Sequence, residues 1–108
     1  INCLLVKKLL TNYYKKKIII KKPNDLLIQK KKISGILQEI VTIFGDKFLI
    51  VGIGINIKKS PKIRNYPTTS LDELTSKSIS KRHVANKLKL IFERNLLKMY
   101  KLNKKINK

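Results

Sequence analysis

Apolar positions along the chain change spacing twice, from helical to alternating and back to helical, and that order predicts one helix, a run of strands and two further helices. Ile1, Leu4, Leu5, Leu9 and Leu10 recur at helical spacing and leave Lys7, Lys8 and Asn12 for solvent, which predicts an amphipathic helix over 1–12. Tyr13 and Tyr14 close its apolar face, and Lys15 to Lys17 form a link. The β-branched run Ile18-Ile19-Ile20 predicts a strand within 17–22 that is buried on both faces. Pro23-Asn24-Asp25 supplies turn chemistry, since Pro fixes φ and the Asn and Asp side chains bond their own backbone. Leu26 to Gln29 follows as a short strand, with Lys30 to Lys32 as the next tight connection. Ile36, Gln38, Ile40, Thr42 and Phe44 alternate as in a half-buried strand over 33–44, and Gly45-Asp46-Lys47 has hairpin length. Residues 48–57 form a strongly apolar strand, in which Gly52 and Gly54 permit close approach of a ligand or a neighbouring backbone.

The remainder is helical. Pro61 and Pro67 mark 58–67 as a loop, and Ser70 and Glu73 have capping-box spacing at the start of a short helix. After a second loop at 75–79, Val84, Leu88, Ile91, Phe92, Met99 and Tyr100, with Leu96 beside them, predict a long amphipathic helix from Ser80 to about Leu102. Residues 103–108 are then a basic tail. No internal repeat or low-complexity linker divides the chain, so residues 1–102 are expected to form one α+β unit whose largely antiparallel sheet is flanked by helices.

Charge changes this picture less than its size suggests. The formal net charge is +20 over 108 residues. It comes from 23 Lys and only 3 Arg, alongside 17 Ile and 9 Asn. Codons for Lys, Ile and Asn are A/T-rich, so base composition accounts for the skew. Bidentate reading of guanine favours Arg, and single-strand binding needs aromatic platforms; the chain is poor in both, so specific nucleic-acid recognition is not expected. A basic module that binds nucleic acid without sequence preference is the alternative from another functional class. Cys3 is the single cysteine, and no His or Cys cluster has metal-ligand spacing, which favours a reducing, cytoplasmic setting. The longest charge-free apolar run, 48–57, is far shorter than the ~20 residues of a membrane-spanning helix, and 1–10 has neither the basic leader nor the cleavage site of a signal peptide. The chain opens on Ile, as a fragment, a trimmed chain or the product of an unusual start codon does.

Most polar motifs have plain explanations. Gly52-Ile53-Gly54 lacks the third glycine and the following helix of a dinucleotide fingerprint. His83 stands without a nucleophile or carboxylate nearby in sequence, and Cys3 fits a small apolar packing residue. Asn24-Asp25 alone is a turn, and Lys32 alone is one lysine among many. Together they form a longer pattern: Lys21-Lys22-Pro23-Asn24-Asp25-Leu26, a lysine seven residues after the Asp, Ile33-Ser34-Gly35-Ile36-Leu37, and Gly52-Ile53-Gly54-Ile55-Asn56 ending a strand. This combination resembles the catalytic domain of biotin-protein ligases. Pro67-Thr68-Thr69-Ser70-Leu71 looks like the Ala-Thr-Ser-Leu element that opens a helix in that family.

The resemblance implies a mixed, largely antiparallel sheet related to class II aminoacyl-tRNA synthetases, here incomplete. It implies ATP-dependent activation of biotin to biotinyl-5′-AMP, then transfer to a lysine of a biotin carboxyl carrier protein. Lys32 corresponds to the family's central lysine, in contact with the biotin carboxylate and its phosphate. Gly35, Ile36 and Leu37 correspond to the biotin pocket. Lys21, Asn24, Asp25 and Asn56 correspond to the ATP and adenylate end, with Asp25 near Mg²⁺. Such chemistry needs a fixed cation, because carboxylate attack on the α-phosphorus of ATP brings two anions together. Lys22 stands where the family usually has Trp. The family's Gly-Arg-Gly-Arg-x-Gly-Arg loop, its earlier biotin-contacting strands and its small C-terminal β-barrel have no counterpart in these residues, so the 108 residues alone are expected to turn over little. Lipoate-protein ligases share the fold and are the nearest enzymatic alternative.

Overall fold

The computed structural model of the chain describes the backbone of residues 1–106 and the side-chain surroundings of residues 1–98. Helix α1 (Asn2–Leu10) leads into strands β1 (Ile19–Lys21), β2 (Asp25–Ile28), β3 (Lys31–Ile43) and β4 (Asp46–Ile55), followed by α2 (Leu71–Thr75) and α3 (Lys81–Ile106). The strands form one sheet in the order β1-β2-β3-β4, each antiparallel to its neighbour. Sequential strands joined by short turns pair in this way without a crossover. No helix among the described residues is long and apolar enough to cross a membrane.

The core is a single cluster. Val6, Leu9 and Leu10 of α1 pack with Leu26 and Ile28 of β2, Ile33 and Ile36 of β3, Leu71 of α2 and Val84 of α3. Helix α1 contacts both α3 and β2 and so ties the two ends of the chain to the sheet. Ser70 caps α2 by accepting the Glu73 backbone N–H at 3.3 Å, as the capping-box spacing predicts. The Glu73 carboxylate, however, accepts the Thr69 hydroxyl at 3.2 Å. Ser80 caps α3 in the same manner, accepting the His83 N–H at 3.2 Å.

Two tight turns set the sheet register. Gln29 and Lys30 have φ of 52° and 63°, and Phe44 and Gly45 have φ of 49° and 84°. Positive φ at both central residues is the mark of type I′ hairpin turns, whose twist matches that of the flanking strands. Between Leu26 and Leu27 the β2–β3 register slips: Leu26 faces Ser34 whereas Leu27 faces Lys32, so Ile33 is an extra residue on β3. That slip is a β-bulge. It lets Ile33 and Ile36, three positions apart, both enter the core.

Several expectations are corrected. The Ile18–Ile20 run is not a strand buried on both faces: only Ile18 is buried, and Ile19 is 43 % exposed on an edge strand. A free edge leaves one side of β1 without a neighbouring strand to cover it. Lys31 and Lys32 belong to β3 rather than to a connection, because the two-residue turn at Gln29-Lys30 suffices. Asp46 and Lys47 lie in β4 for the same reason. In α1 the inward face is Val6, Leu9 and Leu10, while Ile1 and Leu4 are exposed. Helix α3 runs to Ile106, past Leu102, so residues 103–106 are helical; residues 107–108 lie outside the described residues, as do the side chains of Met99 and Tyr100. Lysine is a good helix former and is favoured near a helix C-terminus by the dipole.

The outer part of the β3–β4 hairpin carries apolar side chains into solvent on both faces, including Ile40 opposite Leu49 and Ile50 opposite Glu39. Packing and turn chemistry give two tests by urea unfolding. Leu26→Ala, at a fully buried position, is expected to cost ~2–5 kcal/mol. Replacing Gln29-Lys30 by Asn-Gly is expected to stabilise by about 1 kcal/mol, because those residues adopt left-handed φ with less strain. A neutral or destabilising effect of the second change argues against the type I′ geometry.

Candidate functional site

The bulge that sends Ile33 and Ile36 inward places Lys32 and Gly35 together on the opposite side. Asp25, the first residue of β2, pairs directly with Gly35. The Lys32 side chain reaches across the glycine to Asp25, with Nζ 3.2 Å from Oδ1. A Cβ on Gly35 would stand 3.0 Å from both Cε and Nζ of Lys32, so the glycine provides the space the lysine occupies. Both side chains of the pair are about 30 % exposed or less, so the ion pair is shielded on one side and open on the other.

The loop after β4 closes over this pair. The Lys32 N–H donates to the Pro67 carbonyl at 2.9 Å, and the Thr69 N–H donates to the Lys32 carbonyl at 2.9 Å. These bonds lay residues 67–69 parallel to the start of β3. Tyr66 is thereby brought beside Asp25 and donates its hydroxyl to Oδ2 at 2.6 Å. The Nζ atoms of Lys21 and Lys32 each lie 5.5 Å from the centroid of the Tyr66 ring, within cation–π range.

A pocket of about 230 Å³ opens next to this cluster. Lys32, Ser34 and Gly35 of β3 and Gly54 of β4 line it, with Asn56 just after β4. Pro61, Ile63 and Thr68 supply the loop wall. It is smaller than the ~300–1,000 Å³ common for ligand clefts, as one wall of a larger site would be. Ser34 is buried and donates its hydroxyl to the Gly54 carbonyl at 2.7 Å, which joins the two strands beneath the pocket.

Of the residues singled out from sequence, Lys32, Gly35 and Asn56 share this pocket. Lys21 and Asp25 stand beside it through Tyr66 and Lys32. Asn24 lies in the β1–β2 turn, where its carbonyl accepts the Ile36 N–H at 2.9 Å. The Asn56 backbone N–H donates to the Ile33 carbonyl at 2.9 Å, and its side-chain amide reaches the Lys32 carbonyl at 3.5 Å. Ile36 faces the core, so only its backbone is available to a ligand. Leu37 is 64 % exposed, outside the pocket. Tyr66 escaped the sequence analysis because it sits in a loop without periodicity and meets Asp25 across 41 positions.

Burial alone raises the Asp25 carboxyl, but the Tyr66 hydroxyl bond, the Lys32 ammonium and the charge of Lys21 together outweigh it and hold the group below its ordinary 3.8. The same hydrogen bond and neighbouring carboxylate raise the Tyr66 phenol above 10.0. Tyr66 and Lys32 each engage one carboxylate oxygen of Asp25, which leaves a further lone pair on each oxygen. Among the described residues no group of three His, Cys, Asp or Glu side chains could hold a metal ion.

A lowered folded-state carboxyl stabilises the chain above the unfolded carboxylate range, and that contribution disappears as pH falls through the lowered value. Asp25→Asn is therefore expected to unfold at lower denaturant than wild type at neutral pH. The two should converge in strong acid. A gap that persists unchanged into strong acid would show that the carboxylate charge is not its source.

The model of the biotin/lipoate A/B protein ligase family matches residues 2–57, more than half of the chain. A biotin--[acetyl-CoA-carboxylase] ligase of Mycobacterium tuberculosis is 31 % identical over 68 residues, 63 % of this chain and 24 % of that protein. The structure of a biotin protein ligase from Aquifex aeolicus in complex with biotin and ATP superposes with a TM-score of 0.72 at 35 % identity, covering 90 % of this chain and 41 % of that one. The biotin protein ligase of Leishmania major in complex with biotinyl-5-AMP gives 0.68 at 26 % identity, covering 83 % and 42 %. The chain thus spans less than half the length of these relatives. A family match across the α1-to-β4 segment, which carries Lys21, Asp25, Lys32, Gly35 and Asn56, agrees with the likeness of the fold, and the chain belongs to the biotin/lipoate A/B protein ligase family.

Proposed function

We propose that this chain forms one wall of a site that activates biotin with ATP and passes the biotinyl group to a lysine of a biotin carboxyl carrier protein. The observation that carries the proposal is the Lys32 ammonium, held by Asp25 at the edge of a pocket floored by Gly35 and Gly54. The complexes of the Aquifex aeolicus protein with biotin and ATP and of the Leishmania major protein with biotinyl-5-AMP support it.

In the first step a biotin carboxylate oxygen bonds to the α-phosphorus of ATP, and the bond to pyrophosphate breaks. In the second, the amine of the carrier lysine attacks the acyl carbon, loses a proton, and AMP leaves with the bonding pair. Negative charge gathers at the phosphorus in the first step, and a fixed ammonium beside it lowers that barrier. Lys32 serves this role. Gly35 and the backbone of Ile36 lie where biotin approaches β3, with Leu37 flanking them. Lys21 and Asn24 stand at the phosphate end, and Asn56 at the far side of the pocket serves the adenine. Asp25, the partner of Lys32, would stand nearest a Mg²⁺ that neutralises the ATP phosphates.

ATP-dependent incorporation of biotin into a carrier domain by a longer chain that also carries the Gly-Arg-Gly-Arg-x-Gly-Arg loop, wild type against Lys32→Ala, tests the proposal. A loss of about 100-fold or more in the variant is expected, the scale on which removing one transition-state charge partner acts. Equal incorporation by both excludes the assignment, and incorporation of lipoate in preference to biotin moves it to the lipoate branch of the family.

A further inference from the structure

Resting on that function, we propose that Tyr66 is a positioning residue which sets how tightly Asp25 holds Lys32, and so how much of the ammonium is available to the anion bound in the pocket. The geometry is specific. An aspartate has two oxygens, and here Tyr66 takes Oδ2 at 2.6 Å while Lys32 is left with Oδ1 at 3.2 Å. Hydrogen bonds to ionised groups are the stronger ones, so the phenol is a firm competitor for the carboxylate. Without it the carboxylate is free to turn both oxygens to Lys32 and draw the ammonium away from the pocket.

The ring has a second effect. Lys21 and Lys32 approach it at equal distances of 5.5 Å, so one aromatic ring steadies two ammonium groups. Tyr66 is itself fixed by the loop, since its N–H donates to the Ile63 carbonyl at 3.1 Å and the next residue, Pro67, accepts the Lys32 N–H. The same short segment therefore grips Lys32 twice: through its backbone at Pro67 and through Asp25 at its side chain. Neither contact follows from the core, because Tyr66 is not part of the buried cluster.

The test separates hydroxyl from ring and uses two readouts. Tyr66→Phe keeps the ring and is expected to lower kcat for biotin incorporation about tenfold with KM for ATP changed less than about twofold, the pattern of an interaction used in the transition state. Tyr66→Ala removes both and is expected to raise KM for ATP as well. Independently of turnover, competitive acetylation of the chain's lysines by a small amine-reactive ester, resolved by mass spectrometry, reports the Lys32 amine, with Lys7 and Lys87 as distant internal references. Tyr66→Phe is expected to slow Lys32 about threefold relative to those references, because a tighter ion pair withholds the free amine. If wild type in the longer, loop-carrying chain incorporates no biotin yet the Lys32 rate falls in the variant, the functional assignment fails and the positioning role stands. If wild type incorporates biotin and Tyr66→Phe changes neither kcat nor the Lys32 rate, the positioning role is overturned and the function stands.

Discussion

Everything at the site depends on one extra residue in β3. In a regular ladder, residues three apart point to opposite faces of a sheet. The register slip opposite Leu26 and Leu27 breaks that alternation once, and Ile33 and Ile36 then both pack inward while Lys32 and Gly35 meet on the other side. The core and the site are consequently two faces of the same irregularity. Removing the bulge would not merely straighten a strand; it would force a choice between burying two isoleucines and bringing a lysine to its aspartate. Bulges gather at such places because they re-aim side chains without changing which strands pair.

Much of this was legible in the sequence, and the exceptions have physical reasons. Turn chemistry and alternation predicted the order of strands, and the Ser70–Glu73 spacing located α2. The Ile18–Ile20 run misled because β-branching reports a fit to strand geometry and not whether a neighbour covers the face. The lysines at 30–32 looked like a loop because charge obscured a two-residue turn that needs no glycine here, its strain carried by Gln29 and Lys30 in left-handed conformations. Asp25, Lys32, Gly35 and Asn56 emerged only as members of a joint pattern, since each alone is ordinary. Tyr66 had no local signal at all. Its role comes from a parallel bridge between Lys32 and Thr68 that joins distant parts of the chain, and no spacing rule reaches that far.

Net charge and site charge are separate matters in this chain. Among the described residues most lysines are exposed, and Lys32 and Lys21 converge on one tyrosine beside one carboxylate. The distinction is geometric. The solvent-facing apolar residues of the β3–β4 hairpin accompany a pocket too small to enclose a ligand, in a chain that spans less than half of its relatives' length.

The bulge account makes Gly35 the point of least tolerance for function and of high tolerance for folding. The nearest atoms to an added methyl are the flexible end of Lys32, with Cε and Nζ both at 3.0 Å, and then one Asp25 oxygen at 3.5 Å. The most direct measurement pairs urea unfolding of Gly35→Ala with its affinity for a non-hydrolysable biotinyl-adenylate analogue. Unfolding free energy is expected to stay within about 1 kcal/mol of wild type, as small repacking at a yielding side chain does, while affinity falls about tenfold. Wild-type affinity in the alanine variant would contradict the account, because Lys32 would then not need the space that the bulge and the glycine provide.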